Sequence, residues 1–292
     1  MPEPTPASQA FPITVVMATL GGETLKGTIE QLNRGSVVPA EILICIPEKE
    51  APRTADLCFP NVRVIVTACR GQVAQRAVGF QAASHEVVMQ LDDDIFVDEE
   101  AVACMLQTLT ESGQGVAVAS SLIGHSACGV PNLSDGMLKL FYFLVNGRDG
   151  YRTGTVSKAG TEIGFKKQGA DQKVIDVEWM PGGCVIHWRA NLVKENFFPF
   201  KGKAYCEDLM HSHLLAEKGV RLKMDLRAHC YFTSISSATL GVKEFIDNLR
   251  GDYRARKYFV SLSSRSLVRM HLYYACVVSN FMLKKVIVNC ND

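Results

Sequence analysis

Three consecutive aspartates, Asp92, Asp93 and Asp94, are the residues whose type and spacing most directly indicate chemistry. They follow the apolar run 87–91, which has the composition of a buried strand. Adjacent carboxylates repel one another and raise each other's pKa, and a divalent cation removes that penalty. Because carboxylate oxygens are hard ligands, the pattern predicts a Mg²⁺ or Mn²⁺ site at the carboxyl end of a strand.

An acidic turn that caps the following helix is the alternative explanation, because carboxylates interact favourably with the N-terminal end of a helix dipole. Asp98 can fill that capping role alone, which favours metal binding for the triplet. In an extended segment Asp92 and Asp94 point to one side and Asp93 to the other. Asp93 is therefore expected to be structural.

A second acidic pair, Glu207-Asp208, stands near the start of a predicted helix over 206–218. Acids in a first helical turn interact favourably with the helix dipole, which by itself explains the pair without catalysis. Upstream, Gly182 and Gly183 follow a proline and precede an apolar strand. Such glycines let a ligand approach the backbone closely, and a plain β-bulge is the alternative.

The elements that must position these residues alternate between strand and helix over the first 120 residues. Strands are predicted at 13–18, 41–46, 62–67, 86–91 and 115–120, and helices at 23–34, 72–83 and 99–109. This alternation predicts βαβ units and an α/β domain with a mostly parallel sheet. The pattern weakens over 124–171, apart from an apolar patch at 137–145. Strands resume at 174–179, 184–188, 220–224 and 228–232, and helix is predicted beyond 241.

The order of four features resembles the family 2 glycosyltransferases, inverting enzymes of the GT-A fold that use nucleotide sugars. The features are the strand and turn 15–22, the segment 71–79, Asp92-x-Asp94, and the Pro-Gly-Gly at 181–183 followed by Glu207-Asp208. The resemblance covers 11–232 and implies a GT-A domain with a nucleotide-binding half at 11–120 and an acceptor half at 172–232. Residues 241–292 are expected to form a basic helical C-terminal extension.

The resemblance also implies how the donor is held. The aspartate pair would coordinate Mn²⁺ or Mg²⁺ on the donor's diphosphate, with Asp94 as the direct ligand and Asp92 near the ribose or a metal-bound water. His229 falls where some family members carry a histidine near the metal or diphosphate, although a structural histidine is equally expected. Arg76 matches an arginine near the nucleotide, and Thr19 follows the first strand, where the family holds the base and ribose.

On the acceptor side, the resemblance makes Asp208 the catalytic base, with Glu207 beside it, and places Gly182 and Gly183 along the sugar and acceptor site. The chain departs from the family after the second strand, where an acid usually contacts the base. It reads Cys-Ile-Pro-Glu over 45–48, so Glu48 is the expected substitute.

Composition and charge indicate which classes of partner and which cellular compartment to expect. A net charge of +1 gives no case for nucleic-acid binding. Ten cysteines without zinc-type spacing, and a polar start that lacks the pattern of a signal peptide, predict a reduced cytoplasmic protein. Beyond residue 241 there are nine Lys and Arg against four Asp and Glu. The uncharged stretch 270–283 is too short to span a bilayer and predicts a peripheral helix at the inner face of the membrane, with packing or dimerisation as alternatives.

Together these patterns predict a metal-dependent inverting glycosyltransferase. It would move a sugar from a nucleotide-sugar donor to a saccharide or lipid-linked acceptor during surface polysaccharide assembly. The alternative from a different class is a catalytically silent GT-A-like scaffold that binds a partner at the membrane. The missing base-contact acid is the feature that favours this alternative.

Overall fold

The computed structural model describes residues 10–123, 135–165, 172–232 and 241–289. By their contacts they form two compact units. The first unit contains the described residues within 10–123, 172–176 and 180–232, and the second contains those within 135–165, 177–179 and 241–289. The functional domain boundaries drawn from the sequence stay a prediction.

The strands are β1 (Ala10–Ala18), β2 (Val38–Pro47), β3 (Val62–Thr67), β4 (Val87–Leu91), β5 (Ile95–Val97), β6 (Val116–Ile123), β7 (Val174–Val177), β8 (Cys184–Trp188) and β9 (Arg221–Phe232). The helices are α1 (Leu25–Leu32), α2 (Gln72–Ala82), α3 (Ala101–Ser112), α4 (Asp135–Asn146), α5 (Glu207–Glu217), α6 (Val242–Leu262) and α7 (Leu267–Asn289).

The strands form one sheet in the order β3-β2-β1-β4-β8-β6-β9-β5, and β7 also pairs with β9. The pairs β1–β2, β2–β3, β1–β4 and β6–β9 are parallel, whereas β8 runs antiparallel to both of its neighbours. Parallel strands are buried on both faces, and for this reason their sequences are apolar almost without interruption. The predicted α/β class, a mostly parallel sheet flanked by helices, is confirmed.

Alternate side chains of the central strands pack into different layers, as the two-residue repeat of a strand requires. Val15 and Met17 of β1 lie in a large core with residues of α1 and α3. Val16, between them, lies in a smaller core with Phe80 of α2 and Val88 of β4. The sheet is therefore fixed between helices on both faces.

Strand register brings the chemical motifs to one edge of the sheet. β1 and β4 are parallel neighbours, with Val16 opposite Gln90, so the residues after both strands emerge side by side. β8 pairs antiparallel with β4, with Cys184 opposite Leu91. The Gly183 carbonyl therefore lies next to the aspartate triplet and accepts a 2.9 Å hydrogen bond from the Asp92 amide.

Two local predictions differ from the structure. The polar break at 225–227 does not end a strand, because β9 continues through it with a bulge opposite Ser120 and Ser121. Arg227 bonds Asp225 there at 2.7 Å, which satisfies the polar groups without a turn. The apolar patch in the weakly patterned stretch is part of helix α4.

The second unit contains helices α4, α6 and α7, and the C-terminal helical extension is confirmed. Its core joins Tyr142 and Val145 of α4 to Val260 of α6 and to Met270 and Tyr273 of α7. None of the helices in the described ranges is long and apolar enough to cross a membrane.

Candidate active site

The three aspartates lie in a turn directly after β4, and all three line one cavity of about 920 Å³. Asp93 was expected to point away from its neighbours, yet it lines the same cavity, because the side-chain alternation of a strand does not apply in a turn. Its structural role stays a prediction. Asp93 accepts a hydrogen bond from the Thr19 hydroxyl. This bond joins the end of β1 to the end of β4, and Thr19 in turn accepts a hydrogen bond from the Gly21 amide at 2.9 Å.

Asp92 is already held by protein donors. Its Oδ1 accepts hydrogen bonds from Gln72 Nε2 and from Arg76 Nη2, both at 2.9 Å. Burial raises the pKa of Asp92 to about 6, although the Arg76 charge opposes the rise. The carboxylate is therefore oriented but only weakly stabilised as an anion.

Asp94 accepts no hydrogen bond from any other residue in the described ranges, and burial followed by the Asp93 charge raises the pKa of Asp94. A half-buried, unengaged carboxylate beside two others fits a divalent cation, which would relieve this repulsion. Within the described chain, no three His, Cys, Asp or Glu side chains converge to hold a metal. Mg²⁺-type sites commonly use one or two carboxylates and take further oxygens from phosphate and water, so Asp94 and Asp92 suffice.

His229 is not brought to this cluster. It lies half-buried in β9, where its carbonyl accepts a hydrogen bond from the Asp98 amide at 3.1 Å. It is absent from the described lining of both cavities at this edge of the sheet. Its role as a metal ligand stays a prediction.

Arg76 joins the two acidic motifs. It is buried, and its Nη1 lies 3.2 Å from Oε1 and 3.3 Å from Oε2 of Glu207, while Nη2 binds Asp92. Burial lowers the pKa of Arg76, but the charges of Glu207, Asp92 and Asp208 outweigh burial and raise it. Described lining residues of the two cavities do not include Arg76, so its contact with a nucleotide stays a prediction.

A second cavity of about 220 Å³ lies beside the first, and Gln72, Asp92 and Ala204 line both. Residues 181–183 and Glu207-Asp208 form part of its wall. The two sequence motifs, predicted separately, thus meet at a shared carboxylate, Asp92.

Gly182 makes room for the acidic pair. A Cβ built there would lie 2.3 Å from Oδ1 of Asp208 and 3.1 Å from Oε1 of Glu207. Burial, then the charge and hydrogen bond of Glu207, raise the pKa of Asp208 well above its usual range. A carboxylate of raised pKa is more basic, which suits proton abstraction.

Cys206 turns the chain into α5 through a left-handed conformation, with φ of 56° and ψ of 17°. Non-glycine residues seldom adopt this conformation, and strain of this kind concentrates at functional sites. Cys206 immediately precedes Glu207 and Asp208, both of which line the smaller cavity. No sequence signal distinguishes a cysteine that will adopt this conformation.

The acid beside the second strand also differs in position from the expectation. Glu48 is exposed at the start of a short 3-10 helix, Glu48–Thr54, and does not line the described part of either cavity. Glu50, two residues later, forms a 2.5 Å ion pair with Arg70, which lines the larger cavity. The contact of Glu48 with a base stays a prediction.

Comparison with known proteins agrees with this architecture. The model of the family described as Glycosyl transferase family 2 matches residues 22–167. No curated protein matches the chain.

Among solved structures, GalNAc-T7 with UDP, GalNAc and Mn²⁺ is 14% identical at a TM-score of 0.55, and the match covers 85% of this chain and 50% of that one. The mannosyltransferase PcManGT from Pyrobaculum calidifontis, in complex with GDP-Man and Mn²⁺, is 13% identical at a TM-score of 0.53, covering 91% and 70%. This chain spans about half the length of the GalNAc-T7 chain. The likeness is one of fold, and the GT-A prediction is confirmed.

Proposed function

Since this chain belongs to glycosyl transferase family 2, we propose that it is a metal-dependent, inverting enzyme that transfers a sugar from a nucleotide-sugar donor to a saccharide or lipid-linked acceptor. One observation carries the proposal. A cavity lined by three aspartates and a cavity lined by Glu207 and Asp208 lie side by side and share Asp92. The reaction needs these two sites next to each other, one for the donor and one for the acceptor.

The larger cavity is the proposed donor site. Its volume of about 920 Å³ is in the range of pockets that accept a drug-sized ligand. Asp94, helped by Asp92, would hold Mn²⁺ or Mg²⁺, and Thr19 would lie near the nucleoside. When bound, the cation supplies positive charge that stabilises a diphosphate leaving group. The structures of GalNAc-T7 and PcManGT contain a nucleotide or nucleotide sugar and Mn²⁺, which supports the same ligands here.

Asp208 is the proposed base. The acceptor oxygen forms a bond to the anomeric carbon from the face opposite the diphosphate, and the bond between that carbon and the diphosphate oxygen breaks. The proton of the acceptor hydroxyl passes to the Asp208 carboxylate. Glu207 is held by Arg76 and stays beside Asp208, so the pair remains in the cavity wall.

We further propose that the protein works at the cytoplasmic face of a membrane, on acceptors used in surface polysaccharide assembly. Support comes from α7, which exposes Val268, Leu272, Met282 and Leu283. At 100° per residue these four side chains fall on one face of the helix, and no Lys, Arg, Asp or Glu lies between Arg269 and Lys284. Exposed apolar side chains on one helix face, with no Lys, Arg, Asp or Glu among them and cations at the ends of the stretch, suit an anionic lipid surface even though Ser279 lies on the same face.

Asp208→Asn tests the proposed base. The amide cannot accept the proton, so transfer should fall by about 100- to 10,000-fold, while nucleotide binding with Mn²⁺ stays near the wild-type value. Product formation with a panel of nucleotide sugars and calorimetry on the matching nucleoside diphosphate measure the two effects. Wild-type turnover in this variant would rule out Asp208 as the base. Slow hydrolysis of a nucleotide sugar by the wild-type protein, without acceptor, separates the enzyme from the silent scaffold.

A further inference from the structure

Besides the aspartates, the larger cavity is lined by cationic side chains that the sequence motifs did not include. They are Arg53, Arg70, Lys201 and Lys203. The Arg70 charge is compensated by its ion pair with Glu50 at 2.5 Å. The other three have no ion-pair partner among the described residues. Lys203 Nζ lies over the Tyr205 ring, 5.3 Å from its centroid, but this contact does not neutralise the ammonium charge, so all three charges are available to an anionic ligand in the cavity.

Arg53 is positioned by contacts that leave its charge uncompensated. Its Nη1 donates a hydrogen bond to the Leu20 carbonyl at 3.1 Å, a neutral partner. Its side chain packs so closely on Gly21, which has φ of +72°, that a Cβ there would lie 2.6 Å from Cβ of Arg53. The turn after β1 and the Arg53 side chain thus hold each other at the cavity wall.

Lys201 and Lys203 flank Gly202 in an exposed segment, where Gly202 adopts φ of +93° and nothing lies within 4 Å of a Cβ placed on it. A non-glycine residue would be strained in this backbone conformation. Because the two lysines line the same cavity as the aspartates, they are not ordinary solvated side chains on a convex surface. Carboxylates and uncompensated cations within one cavity suit a ligand that bears both a bound metal and negative charge.

We propose that Lys201, Lys203 and Arg53 form a diphosphate-binding clamp at this cavity. The inference rests on the proposed donor site and names the residues that would hold its diphosphate beside the metal. A diphosphate keeps negative charge after one divalent cation has bound, and lysine ammonium groups bind such oxygens well as point charges. The carboxylates cannot do this, because they repel phosphate.

The two lysines of the clamp lie on the same stretch of chain as the acidic pair. Ala204, directly after Lys203, lines both cavities, and Cys206 then turns the chain towards Glu207 and Asp208. Eight residues therefore join the two cavities. Loss of the lysines should weaken donor binding, with a smaller effect on the rate at saturating donor.

Inorganic pyrophosphate with Mn²⁺ tests the clamp directly, because it needs neither the sugar nor the base to be known. The variant carries Lys201→Met and Lys203→Met together, and the matched control is Lys257→Met, an exposed lysine of α6. Calorimetry should show pyrophosphate binding about 2- to 30-fold weaker in the double variant, the range for two solvent-exposed charge contacts. Binding by the control should equal that of the wild type. Added KCl should weaken the wild type more than the double variant.

Pyrophosphate binding that is unchanged in the double variant, or undetectable in the wild type, would overturn the clamp. Thermal unfolding midpoints of the two variants check that both are folded. Turnover of nucleotide sugars by the wild type tests the proposed function separately. If pyrophosphate binding depends on the lysines but no nucleotide sugar is turned over, the clamp stands and the transferase proposal fails. If nucleotide sugars are turned over but pyrophosphate binding does not depend on the lysines, the transferase proposal stands and the clamp fails.

Discussion

Gly182→Ala tests the proposed catalytic geometry with a single methyl group. The added Cβ would lie 2.3 Å from Oδ1 of Asp208, whereas non-bonded heavy atoms attract best at about 3.5 Å. The Asp208 carboxylate would have to move by about 1 Å. It is the free end of a side chain, so it can move without displacing the backbone, and we expect a loss of unfolding free energy of only about 1 kcal/mol.

The expected kinetic effect is much larger than the effect on stability. A displacement of about 1 Å in a reacting group costs about 100-fold in rate. The turnover number should therefore fall by about 100-fold. Donor binding should change little, because the atoms nearest the added methyl group belong to Asp208 and Glu207 and not to the proposed donor-site residues Asp94 and Thr19.

Gly183→Ala is the matched control. A Cβ there would lie 3.4 Å from Cγ1 and Cδ1 of Ile95, an ordinary contact, and the Gly183 carbonyl can keep its bond to the Asp92 amide. Gly183 also lines the smaller cavity, but the atoms nearest its added methyl group belong to Ile95 and Leu122 and not to Asp208, so this variant should lose far less of its turnover number than Gly182→Ala. Both variants need the same measurements: initial rates over a range of donor concentrations, and urea unfolding.

Two results would refute this reasoning. One is a Gly182→Ala enzyme with a turnover number within threefold of the wild type, which would mean that the position of Asp208 does not limit the reaction. The other is equal impairment of Gly182→Ala and Gly183→Ala, which would indicate a general effect of bulk in this segment.

Two further predictions concern stability. Arg76→Met leaves Asp92 and Glu207 without their cation. In urea titrations this change should cost about 3 kcal/mol of unfolding free energy at pH 7 and less at pH 5. An unchanged urea midpoint at pH 7 would contradict a stabilising ion pair. Burial raises the pKa of Glu41, but hydrogen bonds, above all the one from Arg63, lower this pKa to about 2. The contribution of the Glu41 carboxylate to the free energy of unfolding is therefore present above pH 4.5 and is lost as the pH falls towards 2. Glu41→Gln should therefore cost about 2 kcal/mol at pH 7 and almost nothing near pH 2, and an equal cost at both pH values would show that the carboxylate charge is not involved.

The sequence was most informative where function depends on local order along the chain. The aspartate triplet follows an apolar strand, and the carboxyl ends of parallel strands meet at one edge of the sheet. The location of the triplet could therefore be predicted from composition and periodicity. Glu207-Asp208 was recognised because an acidic pair at the start of a helix has a recognisable local pattern.

The hydrophobic periodicity of the sequence could not predict contacts between distant segments of the chain. Gln72 bonds Asp92, and Lys201 and Lys203 line the same cavity as the aspartates, yet nothing in their local sequence distinguishes them from solvated residues. That Asp93 lines this cavity with its neighbours could not be predicted either, because the three residues form a turn, and turn geometry depends on the bonds made to Thr19 and Thr28 across the sheet edge.

The sequence by itself determined the α/β class, the family resemblance and the acidic residues, because hydrophobic period and motif order are properties of the chain. Tertiary structure decided which side chains share a cavity. Arg76 and Glu207 are 131 residues apart and meet in a buried ion pair, and the two glycines after Pro181 reach the triplet through the antiparallel pairing of β8 with β4. Strand register and packing make these contacts, and no local pattern encodes the distance between residues so far apart.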